Sequence, residues 1–289
     1  MLVDHYPADM PESVRRLTID TRSGPLAALD ARPGQGSPVH GMAVMIPGFS
    51  GSKEDFVPML APIVSAGFRV VCFDQRGQYE SPGPQRADAY SIEGFAEDLL
   101  TVLGTVAYGQ AVHLLGHSFG GMVARRVVIA QPEAVRSLTL LGSGPDGASL
   151  SRSHLLGVAG WVIRLGGAAL LDALLAGVGP RAGNDRFRWL RHRWSKTSHA
   201  GLLGMLRALD AEPDLVARLA ATAIPVLVMF GERDNVWSPA TQIDMARRLT
   251  AQVEVIDNAG HTPSEDQPQV TARKLIEFWT LAGAALDQP

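Results

Sequence analysis

The sequence predicts an α/β fold: a doubly wound, mostly parallel sheet of eight strands carrying an inserted helical cap. Short, nearly continuous apolar runs alternate with longer helical stretches through most of the 289 residues. These runs lack polar alternation, as expected of strands that helices cover on both faces. Residues 147–222 break the rhythm with helical pattern alone, which marks the insertion.

The elements follow in order. Arg15–Asp20 and Leu26–Ala31 read as paired edge strands around the turn signal Ser23-Gly24-Pro25. Met42–Ile46 is the next strand, and Ser52 with Asp55 three residues on opens a helix as a near capping box. Phe68–Phe73, Val112–Leu115 and Leu138–Leu141 are strands, separated by helices at Ile92–Val106 and Phe119–Ala130. After the insertion come a strand at Val226–Phe230, a helix capped by Ser238-Pro239 that runs to Leu249, and a strand at Val253–Ile256. Ala272, Leu275, Ile276 and Trp279 then form a core-facing stripe on the last helix. Residues 1–146 and 223–289 therefore make a core, and 147–222 a cap over the carboxyl ends of the strands, where such sheets bind ligands.

Composition narrows the function. With 46% hydrophobic and 19% charged residues and a net charge of −3, the chain is neither disordered nor a highly charged nucleic-acid binder. One cysteine, Cys72, excludes an internal disulfide and a Cys-rich metal site. No cofactor and no metal are expected. The start, Met1-Leu-Val-Asp-His-Tyr-Pro, lacks a basic patch followed by an apolar run, so the expected location is the cytoplasm. The most apolar stretch, Ser153–Val178, is broken by Arg164, Asp172 and several glycines, and reads as a pair of helices rather than a membrane span.

The most informative segment is Val112-His113-Leu114-Leu115-Gly116-His117-Ser118-Phe119-Gly120-Gly121. An apolar strand runs into G-x-S-x-G and directly on into a helix. Small residues flank the serine because so tight a turn leaves no room for Cβ atoms. The turn lifts the hydroxyl above the sheet, and the positive end of the helix faces the same space. Ser118 is the candidate nucleophile.

With this segment the chain resembles the α/β-hydrolase fold superfamily, in its serine-nucleophile esterase and non-haem haloperoxidase-like branch. The resemblance covers essentially everything outside the cap. It implies the chain order nucleophile, acid, base. His261, in Asn258-Ala259-Gly260-His261-Thr262-Pro263 after the last strand, is then the base that a weakly nucleophilic serine requires. Phe230-Gly231-Glu232-Arg233-Asp234 resembles the family's G-x-x-D turn and makes Asp234 the acid, with Glu232 and Asp146 as competitors. Backbone N–H groups of Phe119 and of Phe49, in the loop Pro47-Gly48-Phe49-Ser50-Gly51, are the implied oxyanion donors. Pro47 stands where the family carries His.

Several features have structural readings beside the functional ones. Phe73-Asp74-Gln75-Arg76-Gly77-Gln78-Tyr79-Glu80-Ser81 resembles the family's D-x-R-G-x-G-x-S loop, in which Asp74 and Arg76 are expected to pair and brace the turn. Tyr79 replaces its second glycine and is a candidate pocket residue. Trp237 either lines the pocket or covers the acid loop. His113 and His117 read as packed or hydrogen-bonded histidines, and Cys72 as inert. From Arg181 to Lys196, five arginines and one lysine against Asp185 give a local net of +5, interleaved with Phe187, Trp189, Leu190 and Trp194. That pattern reads as an amphipathic cap helix with a solvated basic face, or as a surface attracting an anionic or carrier-bound substrate.

The resemblance thus implies a serine hydrolase acting on a small carboxylic ester, thioester or lactone through an acyl-enzyme. A cofactor-free perhydrolase, a C–C bond hydrolase, and a ligand-binding receptor or carrier on the same fold are the alternatives. Haloalkane dehalogenases and epoxide hydrolases use an aspartate nucleophile, which Ser118 argues against.

Overall fold

The computed structural model describes residue 10 and residues 13–150 and 185–286. In chain order, β1 (Val14–Thr21), β2 (Gly24–Ala31) and β3 (Gly41–Ile46) lead through a 3-10 turn at Lys53–Phe56 into α1 (Val57–Ser65) and β4 (Phe68–Phe73). Next come α2 (Ile92–Val106), β5 (Val112–His117), α3 (Phe119–Ala130) and β6 (Val135–Leu141). Helices α4 (Asp185–Lys196), α5 (His199–Ala211) and α6 (Val216–Ala220) stand between β6 and β7 (Val226–Gly231). The described part ends with α7 (Pro239–Leu249), β8 (Gln252–Ile256), α8 (Pro263–Asp266) and α9 (Pro268–Leu286).

The eight strands form one sheet in the order β1-β2-β4-β3-β5-β6-β7-β8. Pairings from β4 through β3 to β8 are parallel, and β1 and β2 are the antiparallel exceptions at one edge. Apolar residues alternate between the two faces, so each face gains its own core. Leu60, Ile63, Leu275 and Trp279 of α1 and α9 pack on Met45, Cys72 and Leu115. Leu99, Val102, Val123, Val127 and Met245 of α2, α3 and α7 pack on Val44, Leu114 and Val228. This two-sided cover is why the central strands read as continuous apolar runs.

β8 departs from the expectation of burial on both faces. It is the last strand, paired only with β7, and Val253 and Val255 are exposed. The expected cap at Ser238 is in place, its Oγ accepting from Thr241 N–H at 3.1 Å. Ser91, not singled out from the sequence, caps α2 in the same way, its Oγ accepting from Gly94 N–H at 3.2 Å.

Residues 151–184, which include the expected helix pair at Ser153–Val178 and the start of the basic segment at Arg181, lie outside the described residues. The remainder of the insertion is helical and tied back to the core. Gly147 N–H donates to Glu212 O at 2.9 Å, joining the start of the insertion to the end of α5. The buried Glu212 carboxylate accepts from Arg125 at 3.3 Å and from Arg126 at 2.8 and 3.0 Å, both on α3. Among the described residues, no helix is long and apolar enough to cross a membrane.

Two histidines of β5 make stability depend on pH. His113 Nδ1 meets Ser137 Oγ at 2.8 Å while its ring stacks on Trp279, 5.6 Å between centroids. Burial pushes its pKa down to about 3. Burial, and then the neighbouring His261, push that of His117 down to about 4. Below the ordinary value near 6.5 the unfolded chain takes up protons that the folded one refuses. The stability both supply is complete above that value and declines as pH falls toward 4 and 3. Between pH 7 and 5 the loss is expected to be roughly 2 kcal/mol for each histidine. Urea unfolding of His113→Gln should show about half the wild-type decline. An unchanged decline contradicts this account.

Candidate active site

The end of β5 turns sharply into α3 at Ser118, whose φ of 53° and ψ of −118° lie in a region L-residues avoid. Two flanking positions tolerate the turn because they lack Cβ. A Cβ on Gly48 would sit 2.9 Å from Ser118 Cβ, and one on Gly120 would sit 2.5 Å from Ile46 O. Ser118 N–H donates to Leu141 O at 2.9 Å, and Ser143 Oγ donates to Ser118 O at 2.8 Å. The strained turn is thereby pinned to β6.

His261 lies between β8 and α8, with Nε2 3.0 Å from Ser118 Oγ. Its Nδ1 is 3.0 and 3.1 Å from the two carboxylate oxygens of Asp234, which follows β7. Asp234 Oδ1 also accepts from Val236 N–H at 2.9 Å, and Oδ2 from Gln242 Nε2 at 3.0 Å. Burial raises the pKa of this carboxyl, but the bond from His261 and these two others outweigh it and hold it below the usual range. The His261 side chain remains 21% exposed and that of Asp234 is fully buried. The imidazole can therefore reach a reactant while its orienting group stays dry. His117 reaches over from the elbow, its Nε2 2.9 Å from His261 O, so that nitrogen carries the proton and holds the His261 loop.

The two backbone donors expected from the sequence share a local design. Phe119 opens α3, where first-turn N–H groups have no partner within the helix. The same peptide carries Ser118 O, bonded to Ser143 Oγ and to Gly121 N–H. A trans peptide points its N–H opposite to its carbonyl, so the Phe119 N–H faces away from those bonds. The Phe49 N–H shares its peptide with Gly48 O, which accepts from Gln78 Nε2 at 2.7 Å and from Gly51 N–H at 3.1 Å. Gln75 Nε2 holds Pro47 O at 2.9 Å, and Gln78 Oε1 accepts from Gln75 N–H at 3.0 Å. Gln75 and Gln78 were not singled out from the sequence. Their signal was two amides beside the tight turn at Gly77, where only hydrogen bonding makes burial tolerable.

The expected pairing of Asp74 with Arg76 is replaced. Lys53 takes Asp74 instead, through Nζ and through its N–H, both at 2.8 Å. Arg76 bonds Asp98 of α2. The 3-10 turn delivers a cation to Asp74, and α2 a carboxylate to Arg76, so neither needs the other. Burial disfavours the Lys53 ammonium, but Asp74 and Glu54 overcome it and hold the pKa above its ordinary value. Of the competing acids, Glu232 is exposed beside Arg233 at 3.4 Å. Asp146 accepts from Ser149 N–H at 2.7 Å.

The cap meets the core around Tyr79 and Phe49. Tyr79 has φ 37° and packs edge-on against Trp189 at 5.1 Å and His192 at 5.9 Å, both on α4. Burial pushes its phenol up to about 12. It also lines a cavity of about 710 Å³ with Ser81, Pro82, Lys196, His199 and Leu203. Phe49 and Trp194 of α4 each pack against the buried pair Leu202 and Leu206 of α5. Trp237 is fully buried, donates from Nε1 to Asp146 O at 3.2 Å, and lies 6.1 Å from the His261 ring. Arg188, Arg191 and Lys196 of the basic segment are exposed, whereas Arg193 turns inward and is buried. Cys72 is buried among apolar residues, which raises its pKa well above the ordinary thiol value.

A family model described as alpha/beta hydrolase fold matches residues 44–268. A Variovorax paradoxus protein named for carbamate hydrolysis is 28% identical over 254 residues, spanning 83% of this chain and 92% of its own. The pimeloyl-[acyl-carrier protein] methyl ester esterase of Aeromonas salmonicida is 30% identical over 223 residues, 73% of this chain and 84% of its own. Among solved structures, a bromoperoxidase from Bacillus anthracis superposes with a TM-score of 0.77 at 21% identity, covering 92% of this chain and 99% of the other.

Proposed function

This chain belongs to the α/β-hydrolase fold family, and on that premise we propose that it is a serine hydrolase of small carboxylic esters, thioesters or lactones. One observation carries the proposal: Ser118 Oγ, the His261 imidazole and the Asp234 carboxylate lie in line at 3.0 Å and 3.0 Å. In this reading His261 Nε2 takes the Ser118 proton as Oγ attacks the substrate carbonyl carbon. Asp234 fixes the tautomer and stabilises the imidazolium. The N–H groups of Phe49 and Phe119 receive the oxyanion, each worth about 2.7–4 kcal/mol to the transition state. The imidazolium then protonates the leaving group, and the bond to it breaks. Water, deprotonated by His261, attacks the acyl-enzyme and releases the acid.

Phe49, half-buried on the apolar cluster of Leu202 and Leu206, gives the donor loop an apolar neighbourhood compatible with a hydrocarbon acyl group. The exposed cations Arg188, Arg191 and Lys196 are compatible with an anionic or carrier-bound acyl group, as the name of the Aeromonas esterase suggests.

A p-nitrophenyl ester series from acetate to decanoate tests the proposal. Turnover is expected, with kcat/KM rising over the first few methylenes as the acyl chain enters apolar surroundings. Failure with every chain length, together with tight binding of an ester, favours a receptor on the same fold.

A further inference from the structure

We propose that Arg193 is a positioning residue for the oxyanion loop, acting through Asp55, so that docking of the cap and alignment of the Phe49 N–H are one event. The proposal rests on the hydrolase reading above. Arg193 belongs to the cap helix α4, yet its side chain is only 8% exposed. Its guanidinium forms an ion pair with Asp55 Oδ1 and stands 3.5 Å from Ser52 Oγ. The other carboxylate oxygen, Asp55 Oδ2, accepts from Ser52 N–H at 3.0 Å. Asp55 also presses on the donor loop itself. A Cβ on Gly51 would lie 2.5 Å from Asp55 Oδ2 and 3.1 Å from Pro47 Cβ, so carboxylate and loop are in direct contact. A chain of contacts therefore runs from the cap through Arg193, Asp55, Ser52 and Gly51 to the peptide that carries Phe49.

Charge makes this chain stiff. A buried carboxylate that loses its partner is left uncompensated, and the surrounding backbone has to move to rehydrate it. Here the adjoining backbone is the loop whose N–H must meet the oxyanion, and catalysis is sensitive to displacements of about 1 Å. Glu212 ties the cap to α3 with Arg125 and Arg126 at the other end of the insertion, away from this loop. It provides the control for a cap that is merely loosened.

The test compares Arg193→Met, Arg193→Lys, Asp55→Asn, Arg193→Met/Asp55→Asn and Glu212→Gln. Ester kcat and KM are measured, along with Ki for a boronic acid that forms a tetrahedral adduct on Ser118. Thermal melting identifies any variant that fails to fold, and Arg193→Lys and Asp55→Asn then carry the test. Arg193→Met and Asp55→Asn are each expected to lower kcat by about 10–100-fold, as expected for misplacement of the donor. KM should stay within a few-fold, and the boronate Ki should rise in step with the loss of kcat. The double variant should be no slower than Asp55→Asn alone, and Arg193→Lys should recover most of the rate. Glu212→Gln should lower the melting temperature and leave kcat nearly unchanged.

The proposal is overturned by a change confined to KM, by losses that multiply in the double variant, or by an equal kcat loss in Glu212→Gln. A wild type that neither turns over esters nor binds the boronate overturns the hydrolase reading, and this inference with it.

Discussion

Replacing Ser118 by alanine is expected to reduce ester turnover by about 10⁴–10⁶-fold, the range that loss of a serine nucleophile gives in triad enzymes. The fold should survive the change. The turn at Ser118 is held by backbone bonds to Leu141 O and from Gly121 N–H, and by the Ser143 hydroxyl on Ser118 O. None of these uses the Ser118 side chain. Its Oγ lies 3.0 Å from His261 Nε2, a bond on a 21% exposed imidazole whose loss costs about 1 kcal/mol or less. Activity and stability should therefore separate, with turnover abolished and the melting temperature shifted by a few degrees at most. Intact-mass measurement after treatment with a fluorophosphonate supplies a second readout. Wild type should gain one adduct, and Ser118→Ala should gain none at the same dose. A variant that keeps more than about one hundredth of wild-type kcat assigns the chemistry to another nucleophile.

The parts of this site legible in the sequence are those encoded by adjacent residues. The elbow is one contiguous string, from the apolar run Val112–Leu115 through Gly116, Ser118 and Gly120, so both its strand and its helix context can be read locally. His261 and Asp234 follow from the chain order that the resemblance implies and from their places just after strands. The supports of the site are different in kind. Gln78 reaches back 30 positions to Gly48, and Arg193 reaches 138 positions to Asp55. No periodicity records such a pairing. A basic run such as 181–196 looks uniformly solvated in sequence, because burial of one arginine among five is decided by a carboxylate on another element. The same limit explains Asp74 and Arg76. They are near neighbours that seemed natural partners, until the 3-10 turn brought Lys53 and α2 brought Asp98. The exposed residues of β8 follow from strand order, since apolar composition alone does not distinguish an edge strand from a central one.

Substituting Asp234 by asparagine changes one atom, yet it is expected to lower kcat by about 10⁴-fold, as loss of the correct imidazole tautomer does in a serine triad. The reason lies in the count of donors and acceptors. Asp234 Oδ1 accepts from Val236 N–H at 2.9 Å, and Oδ2 accepts from Gln242 Nε2 at 3.0 Å. An amide must place its carbonyl oxygen on one of these donors and its NH₂ on the other. The Val236 N–H is fixed backbone, so the carbonyl belongs there. The NH₂ then occupies the Oδ2 position, where it meets the Gln242 Nε2 donor that Trp237 O holds in place at 3.0 Å. His261 Nδ1 lies 3.0 Å from the Oδ1 position and 3.1 Å from the Oδ2 position, so it now meets a neutral carbonyl shared with Val236 N–H on one side and an amide donor on the other. The imidazolium loses its counter-charge, and the tautomer with its proton on Nε2, which directs an N–H at Ser118 Oγ instead of a lone pair, gains population, so the base is weakened. Asp234→Glu is expected to retain more activity despite its extra methylene, because it preserves the acceptor. Turnover of the two variants under identical conditions checks this order. If Asp234→Asn proves as active as Asp234→Glu, the carboxylate does not set the His261 tautomer, and Asp146 becomes the acid to examine next.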